Sequence, residues 1–128
     1  MRLLLDTHLL LWAATDSPRL SPSARELIED PDNTLWFSAA SLWEVAIKTG
    51  LGRNDFTIHP RMLHQALLQN DYNELAITGA HAAAVDLLPA IHSDPFDRIL
   101  VAQAQIESLT LLSGDEVVAQ YQGNIRLI

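Results

Sequence analysis

The sequence predicts an α/β fold, a three-layer α/β/α sandwich around a mostly parallel central sheet of about five strands. Short apolar segments of strand length alternate along the chain with segments of helical spacing. The composition, with 48% apolar and 19% charged residues, is sufficient for a buried core. Since strands that alternate with helices favour a parallel sheet covered on both faces, we expect a single domain over residues 1–128.

Five apolar segments are predicted to be buried strands because they are short and are flanked by polar or turn residues. These segments are Leu3–Leu5, Thr34–Phe37, Glu74–Ile77, Leu109–Leu112 and Ile125–Ile128. In a parallel sheet the ligand site lies at the carboxyl ends of the strands, so the residues that follow these segments are the first candidates for function.

The segments between the strands have helical spacing, and several begin with an N-cap residue or a proline. The predicted helices are Leu9–Ala14, a helix that begins at Ser21-Pro22, Ala39–Lys48 ending at Gly50, His59-Pro60 towards Asn70, Thr78–Leu88 before Pro89, and Asp94-Pro95 through Ile106.

Composition excludes several classes of protein. The chain has no cysteine, which excludes a disulfide scaffold, a zinc ribbon, an iron–sulfur protein and thiol catalysis. Asp6 interrupts the leucine-rich start, and the apolar stretch Leu9–Ala14 is too short to span a membrane. We therefore expect a cytoplasmic protein without a membrane partner. The formal charge of −8 and the absence of a basic run count against tight, non-specific binding of nucleic acid.

Two acidic residues occupy positions where an ordinary surface acid is not expected. Asp6 directly follows the first predicted strand, and its structural alternative is that it, or Thr7, caps the next helix. Glu44 interrupts an almost wholly apolar helix, where an unpaired carboxylate is costly unless it binds something. Its structural alternative is an i,i+4 ion pair with Lys48.

Three further acids lie near a helix start or a strand end. Asp94 precedes Pro95 and is assigned mainly to capping, which leaves Asp97 in the first turn, where it also favours the helix dipole. Asp115 follows the fourth predicted strand. Ser113 and Glu116 have capping-box spacing, which gives Glu116 a structural role and leaves Asp115 without one.

In a parallel sheet, Asp6, Glu44, Asp97 and Asp115 meet at one edge. Two carboxylates about 4 Å apart repel by about 4 kcal/mol at an effective dielectric constant near 20, so a cation is needed to hold four of them. Oxygen ligands favour Mg²⁺ or Mn²⁺, and such sites serve phosphoryl chemistry. The five histidines are scattered and none is assigned to catalysis. Weak candidates for substrate phosphate contacts are Arg98, Lys48 and Arg53.

Four sequence blocks resemble PIN-domain proteins, most closely the VapC-type toxins of bacterial type II toxin–antitoxin pairs. The blocks are Leu-Leu-Asp-Thr, Ser-Leu-Trp-Glu-Val-Ala-Ile-Lys, Asp-Pro-Phe-Asp-Arg-Ile-Leu-Val-Ala-Gln-Ala and Leu-Leu-Ser-Gly-Asp. They span nearly the whole chain in the family's order.

The resemblance implies a PIN-like fold and a Mg²⁺-dependent endoribonuclease that a cognate antitoxin restrains, with a homodimer expected. It places the family's acidic quartet on Asp6, Glu44, Asp97 and Asp115 as catalytic and metal-binding residues. Thr7 and Ser113 fall at positions where the family often has a hydroxyl group, and Ser113 replaces the commoner threonine.

Two alternatives remain open at this stage. The first is a PIN-fold module that binds a partner without catalysis, which the acidic net charge favours. The second is a phospho-acceptor domain of flavodoxin-like design with Asp6 as the acceptor, although the acidic pair that such domains need near the first strand is missing.

Overall fold

A computed structural model describes residues 1–128 and shows an all-parallel five-stranded sheet with the strand order β3-β2-β1-β4-β5. The strands are β1 (Arg2–Leu5), β2 (Thr34–Ser38), β3 (Asn73–Leu75), β4 (Thr110–Ser113) and β5 (Ile125–Leu127). Leu4 of the central strand β1 lies opposite Trp36 of β2 and Leu111 of β4. The predicted α/β class and parallel sheet are confirmed.

Six α-helices and two short 3₁₀ helices connect the strands. The α-helices are α1 (Thr7–Ala14), α2 (Pro22–Glu29), α3 (Ala39–Gly50), α4 (Pro60–Gln69), α5 (Gly79–Ala84) and α6 (Pro95–Glu107), and the 3₁₀ helices are Val85–Leu87 and Val118–Gln120. None of these helices has the length and apolar character that a membrane crossing requires.

Alternate leucines of β1 pack into separate clusters on the two faces of the sheet. Leu3 and Leu5 belong to a cluster with α1, α2, α3 and α4, whereas Leu4 belongs to a cluster with α6. All three side chains are fully buried. Burial of a leucine side chain contributes about 1.5–3 kcal/mol, so β1 is a main support of both layers.

Most predicted elements differ from the observed ones by one or two residues at an end, and two of them end earlier than predicted for a visible reason. Strand β3 ends at Leu75 rather than at 77, because the Ala76 carbonyl accepts a hydrogen bond from the side chain of Gln103 at 3.3 Å. The helix predicted over 78–88 ends as α5 at Ala84 and continues as a 3₁₀ turn. There the Val85 carbonyl accepts a hydrogen bond at 3.1 Å from the guanidinium of Arg98.

The strand order places the carboxyl ends of β1 and β4 at a topological switch point. From β1 the chain continues to β2 and β3 on one side of the sheet, and it returns to form β4 and β5 on the other. Ligands of open α/β sheets bind at such a point, outside the carboxyl ends of the strands. Asp6 follows β1 and Asp115 lies two residues beyond the end of β4, so both acids lie at this position.

Candidate metal centre

A polar cleft of about 320 Å³ opens at the switch point. No apolar residue lines it. The ten lining residues are Asp6, Thr7, His8, Glu44, Lys48, Arg53, His92, Asp94, Asp97 and Asp115. The structure therefore brings together all four acids of the predicted quartet, from four separate parts of the chain.

Asp6 is a buried residue of this cleft and is held by two hydrogen bonds. It is the N-cap of α1, and its Oδ1 accepts a hydrogen bond from the Leu9 N–H at 3.0 Å. Its own N–H donates to the Leu112 carbonyl of β4 at 3.0 Å. Burial raises the pKa of Asp6, although the Leu9 N–H and the Ser113 hydroxyl act in the opposite direction. The capping alternative for Asp6 is thus correct, and capping leaves the carboxylate in the cleft.

Asp97 has a strongly perturbed carboxyl group in the cleft. Asp94 caps α6 by accepting from the Phe96 N–H at 2.8 Å, and this places Asp97 in the first helical turn. Burial, together with the charges of Asp94, Asp6 and Glu44, raises the pKa of Asp97 to about 7, against the opposing effect of His92. A carboxyl group surrounded by other carboxyl groups in a cleft is typical of a functional site.

His92 joins the cluster, although sequence reasoning assigned no histidine to the site. Its Nε2 lies 2.8 Å from Asp115 Oδ2 and 3.3 Å from Asp97 Oδ2. Its Nδ1 accepts a hydrogen bond from the Asp94 N–H at 3.0 Å, so in neutral His92 the proton is on Nε2 and is donated to the carboxylates. The only signal in the sequence was the position of His92 two residues before the cap of α6.

Asp115 is oriented by its own turn and by His92. Its Oδ1 accepts from the Val117 N–H at 2.8 Å, and its N–H donates to the Ser113 hydroxyl at 3.0 Å. Burial alone would raise the pKa of Asp115, but the hydrogen bonds from His92 and Val117 outweigh it and lower the pKa. The predicted capping box of Ser113 and Glu116 is wrong, because the chain bends here and the Ser113 hydroxyl is bonded to Asp115.

Glu44 forms the ion pair with Lys48 that was its structural alternative, but the pair is not on an exposed face. The side chain of Glu44 is 5% exposed and that of Lys48 is 17% exposed. The pair lies within the cleft lining, so Glu44 is both paired and available to the site. The Lys48 ammonium also lies 5.1 Å from the centre of the Phe56 ring.

The remaining predicted residues differ in whether they line the cleft. Arg53 lines the cleft and is paired with Asp55 at 3.3 Å. Thr7 is buried and its hydroxyl donates to the Ser41 hydroxyl at 3.0 Å. Arg98 does not line the cleft: its guanidinium donates to the Pro89, His92 and Val85 carbonyls and to the Tyr121 hydroxyl. The structure thus gives Arg98 a bracing role and does not place it for phosphate contact.

The donor set fits a hard divalent cation. One ligand atom from each of His92, Asp97 and Asp115 lies within 4.8 Å of the others, and Asp6 and Glu44 are close enough to raise the pKa of Asp97. The single lone pair of neutral His92 is used by the Asp94 N–H, so the ligands facing the cleft are carboxylate oxygens. Oxygen ligands suit Mg²⁺ or Mn²⁺ better than softer metals.

Several solved structures share this fold at low sequence identity. VapBC2 from Rickettsia felis, bound to a DNA fragment from its promoter, aligns with a TM-score of 0.71, 14% identity, and coverage of 99% of this chain and 98% of that chain. A toxin–antitoxin complex from Klebsiella pneumoniae aligns with a TM-score of 0.65 and 21% identity, and the alignment covers 96% of this chain and 94% of that chain. FitAcB from Neisseria gonorrhoeae aligns with a TM-score of 0.62 and 19% identity, and the alignment covers 91% of this chain and 89% of that chain.

No curated protein sequence matches this chain significantly. In contrast, the sequence model of the PIN domain matches residues 3–124, which include all four acids of the cleft. The match extends over nearly the whole chain and agrees with the topology and with the acidic cleft described above. The chain therefore belongs to the PIN domain family.

Proposed function

We propose that this chain is a Mg²⁺- or Mn²⁺-dependent endoribonuclease that acts as the toxin of a type II toxin–antitoxin pair. The observation that carries the proposal is the convergence of Asp6, Glu44, Asp97 and Asp115 on one polar cleft, where the pKa of Asp97 rises to about 7. Membership of the PIN domain family supports a nuclease role, because proteins of this family are generally nucleases.

Asp6 and Asp97 are the principal ligands in this proposal, and Glu44 and Asp115 complete the site directly or through water. A divalent ion bound there would lower the pKa of a water molecule and stabilise charge on the phosphate. His92 holds Asp115 and Asp97 through Nε2 and keeps them facing the cleft. Lys48 and Arg53 lie at the cleft wall, where a phosphate group of the substrate would enter.

The proposed partner is an antitoxin, since similar structures include a toxin–antitoxin complex from Klebsiella pneumoniae. A homodimer is part of the same proposal. Helix α3 carries two exposed apolar side chains one turn apart, Trp43 at 61% and Ile47 at 40%, and Leu51 follows at 73%. Such a stripe is typical of a protein–protein contact. Light scattering should show a dimer that Trp43→Glu dissociates.

The test of the proposed activity is cleavage of total cellular RNA by the purified, antitoxin-free chain with Mg²⁺, with Mn²⁺ and with a chelator. We expect cleavage only with a divalent ion, and no cleavage by Asp97→Asn at equal concentration. The variant excludes a contaminating nuclease. Equal cleavage by the variant would contradict the proposed site.

A module that binds a partner without catalysis is the second candidate. It is favoured by the net charge of −8 and by the pairing of both basic residues of the cleft, Lys48 with Glu44 and Arg53 with Asp55. Expression of an Asp6→Ala, Asp97→Ala double variant in cells distinguishes the binding module from the nuclease. Growth arrest that persists in this variant would favour the binding module, and its loss would favour the nuclease.

A further inference from the structure

A second cleft lies beside the metal centre and is not explained by metal binding. Its volume is about 250 Å³, and it is lined by Asp6, His8, Trp12, Arg19, Gly114 and Asp115. Asp6, His8 and Asp115 also line the metal centre, so the two clefts meet along these side chains. A chain-like ligand that crosses the acids would therefore continue into the second cleft.

Arg19 is the free positive charge of this second cleft. Five of the eight basic residues are engaged: Arg25, Lys48 and Arg53 in ion pairs, Arg2 by a backbone carbonyl, and Arg98 by three carbonyls and a hydroxyl. The exposed guanidinium of Arg19 has no carboxylate within 4.0 Å, and only its backbone N–H is bonded, to Ser17.

The same cleft contains an aromatic surface. The Trp12 indole is half-buried, and the His8 ring lies 5.8 Å from it at an interplanar angle of 47°. The His8 ring is fixed in turn by Phe56, at 5.5 Å, and by Asp55, 3.3 Å from its Nε2. Trp12 packs against the core at one side and lines the cleft at the other. Indole faces stack with nucleic-acid bases of any identity.

A purely structural role explains the buried part of Trp12, but it leaves Arg19 unexplained. The guanidinium of Arg19 shares the cleft with the carboxylates of Asp6 and Asp115 but contacts neither of them. It therefore makes no hydrogen bond or ion pair that would stabilise the fold. A guanidinium and an indole in one cleft are the two groups that bind a nucleotide, through its phosphate and its base. The arrangement fits single-stranded RNA, because the bases of a duplex are stacked on each other and cannot reach an indole face.

We infer that the cleft formed by Trp12 and Arg19 binds a nucleotide next to the scissile phosphate, with its base on the Trp12 indole and its phosphate on the Arg19 guanidinium. This inference rests on the proposed nuclease function and adds a substrate subsite to it. It also supplies a positive contact that the net charge of −8 did not predict.

The test measures RNA binding in the Asp97→Asn background, so that the probe is not cut. A fluorescein-labelled single-stranded RNA of mixed sequence and about 12 nucleotides is titrated with protein, and its anisotropy is followed at several salt concentrations. The variants are Trp12→Leu, Trp12→Phe and Arg19→Ala. Arg126→Ala is the matched control, because Arg126 is also exposed and unpaired but lines a separate cleft with Ser23 and Glu26.

We expect Trp12→Leu to weaken binding by about 5-fold to 150-fold, the range of a lost base–aromatic stack, and Trp12→Phe to retain most of the affinity. Arg19→Ala should weaken binding and reduce the slope of log K against log salt by about 0.7, the value of one phosphate contact on a single strand. Arg126→Ala should bind like the background.

Two results would overturn the inference in different ways. If the background binds RNA and both Arg19→Ala and Trp12→Leu bind equally well, the subsite is wrong and the nuclease proposal stands. If the background binds no RNA at all, the subsite inference fails, and cleavage of RNA by the wild-type chain decides the nuclease proposal separately. Thermal unfolding of each variant shows whether it is folded. Arg19 is exposed, so its variant keeps the test valid even where Trp12→Leu unfolds.

Discussion

His92 Nε2 lies 2.8 Å from Asp115 Oδ2, and this contact joins the segment before α6 to the turn after β4. The same nitrogen is 3.3 Å from Asp97 Oδ2, while the Asp94 N–H fixes the other side of the ring. The imidazole of His92 thus spans two carboxylates that would otherwise repel each other. The histidine orients the acids, and the carboxylate lone pairs that it does not engage are left for a cation.

His92→Ala should therefore weaken Mn²⁺ binding by about 10-fold to 100-fold, the usual effect of removing a group that orients metal ligands. The measurement is a calorimetric Mn²⁺ titration of both proteins. His59→Ala is the matched control, since His59 is exposed and its side chain makes no capping hydrogen bond at the start of α4. Unchanged Mn²⁺ affinity in His92→Ala would show that the contact does not support the site.

The raised pKa of Asp97 predicts how metal-free stability depends on pH. Because its folded pKa of about 7 exceeds its ordinary value of 3.8, the folded state holds a proton more tightly than the unfolded chain. Its contribution to stability is full below pH 3.8 and is lost as the pH rises through about 7. Asp97→Asn has no such loss. In the presence of a chelator at pH 8, its free energy of unfolding should therefore exceed that of wild type by up to a few kcal/mol.

Urea unfolding in chelator between pH 4 and pH 8 measures this difference. We expect the two proteins to have similar free energies of unfolding near pH 4 and to diverge as the pH rises. Asp6 also has a raised pKa and its charge acts on Asp97, so the difference between the two proteins reports Asp97 together with its coupling to Asp6. A difference that does not change with pH would contradict the assignment. Added Mn²⁺ should stabilise wild type alone, since only wild type retains the site.

Metal binding should itself depend on pH for the same reason. A carboxyl group with a pKa of about 7 must lose its proton before it binds a cation, so Mn²⁺ affinity should fall as the pH is lowered below about 7. Calorimetry in buffers of different ionisation enthalpy should show proton release on binding at pH 6.5. Affinity that is constant from pH 5.5 to pH 8 would mean that Asp97 binds no metal.

Arg98 should matter for stability rather than for substrate. Its guanidinium bonds the Val85, Pro89 and His92 carbonyls and thereby holds the segment before α6 against that helix. Arg98→Lys keeps the charge but loses the planar set of donors, and it should lower the free energy of unfolding by about 1–3 kcal/mol. Urea unfolding measures this loss. RNA affinity of the folded variant should be unchanged, and a stability equal to wild type would contradict the bracing role.

The layers and the acidic quartet could be predicted from sequence because they depend on local patterns. Leu3–Leu5 followed by Asp6 indicates both a buried strand and a polar group at its carboxyl end. Asp94-Pro95 marks a helix start, which fixes Asp97 in the first turn. The parallel topology then brings these acids together without further information.

The roles of His92 and Arg98 could not be predicted because they depend on contacts between distant segments. His92 contacts Asp115, which is 23 residues away along the chain, and no spacing rule connects them. Arg98 adjoins Asp97 in the sequence, yet its guanidinium turns to carbonyls of the preceding loop. The end of β3 was missed for the same reason, since Ala76 leaves the sheet for the side chain of Gln103.

The most direct test of the metal-dependent cleft compares Mn²⁺ binding and RNA cleavage in one preparation. If the acids form the catalytic metal site, the cleavage rate should rise with Mn²⁺ concentration along the same curve as Mn²⁺ binding. Asp97→Asn should lose both while its far-ultraviolet circular dichroism is unchanged. Cleavage that persists in Asp97→Asn, or that saturates where no Mn²⁺ is bound, would contradict the account.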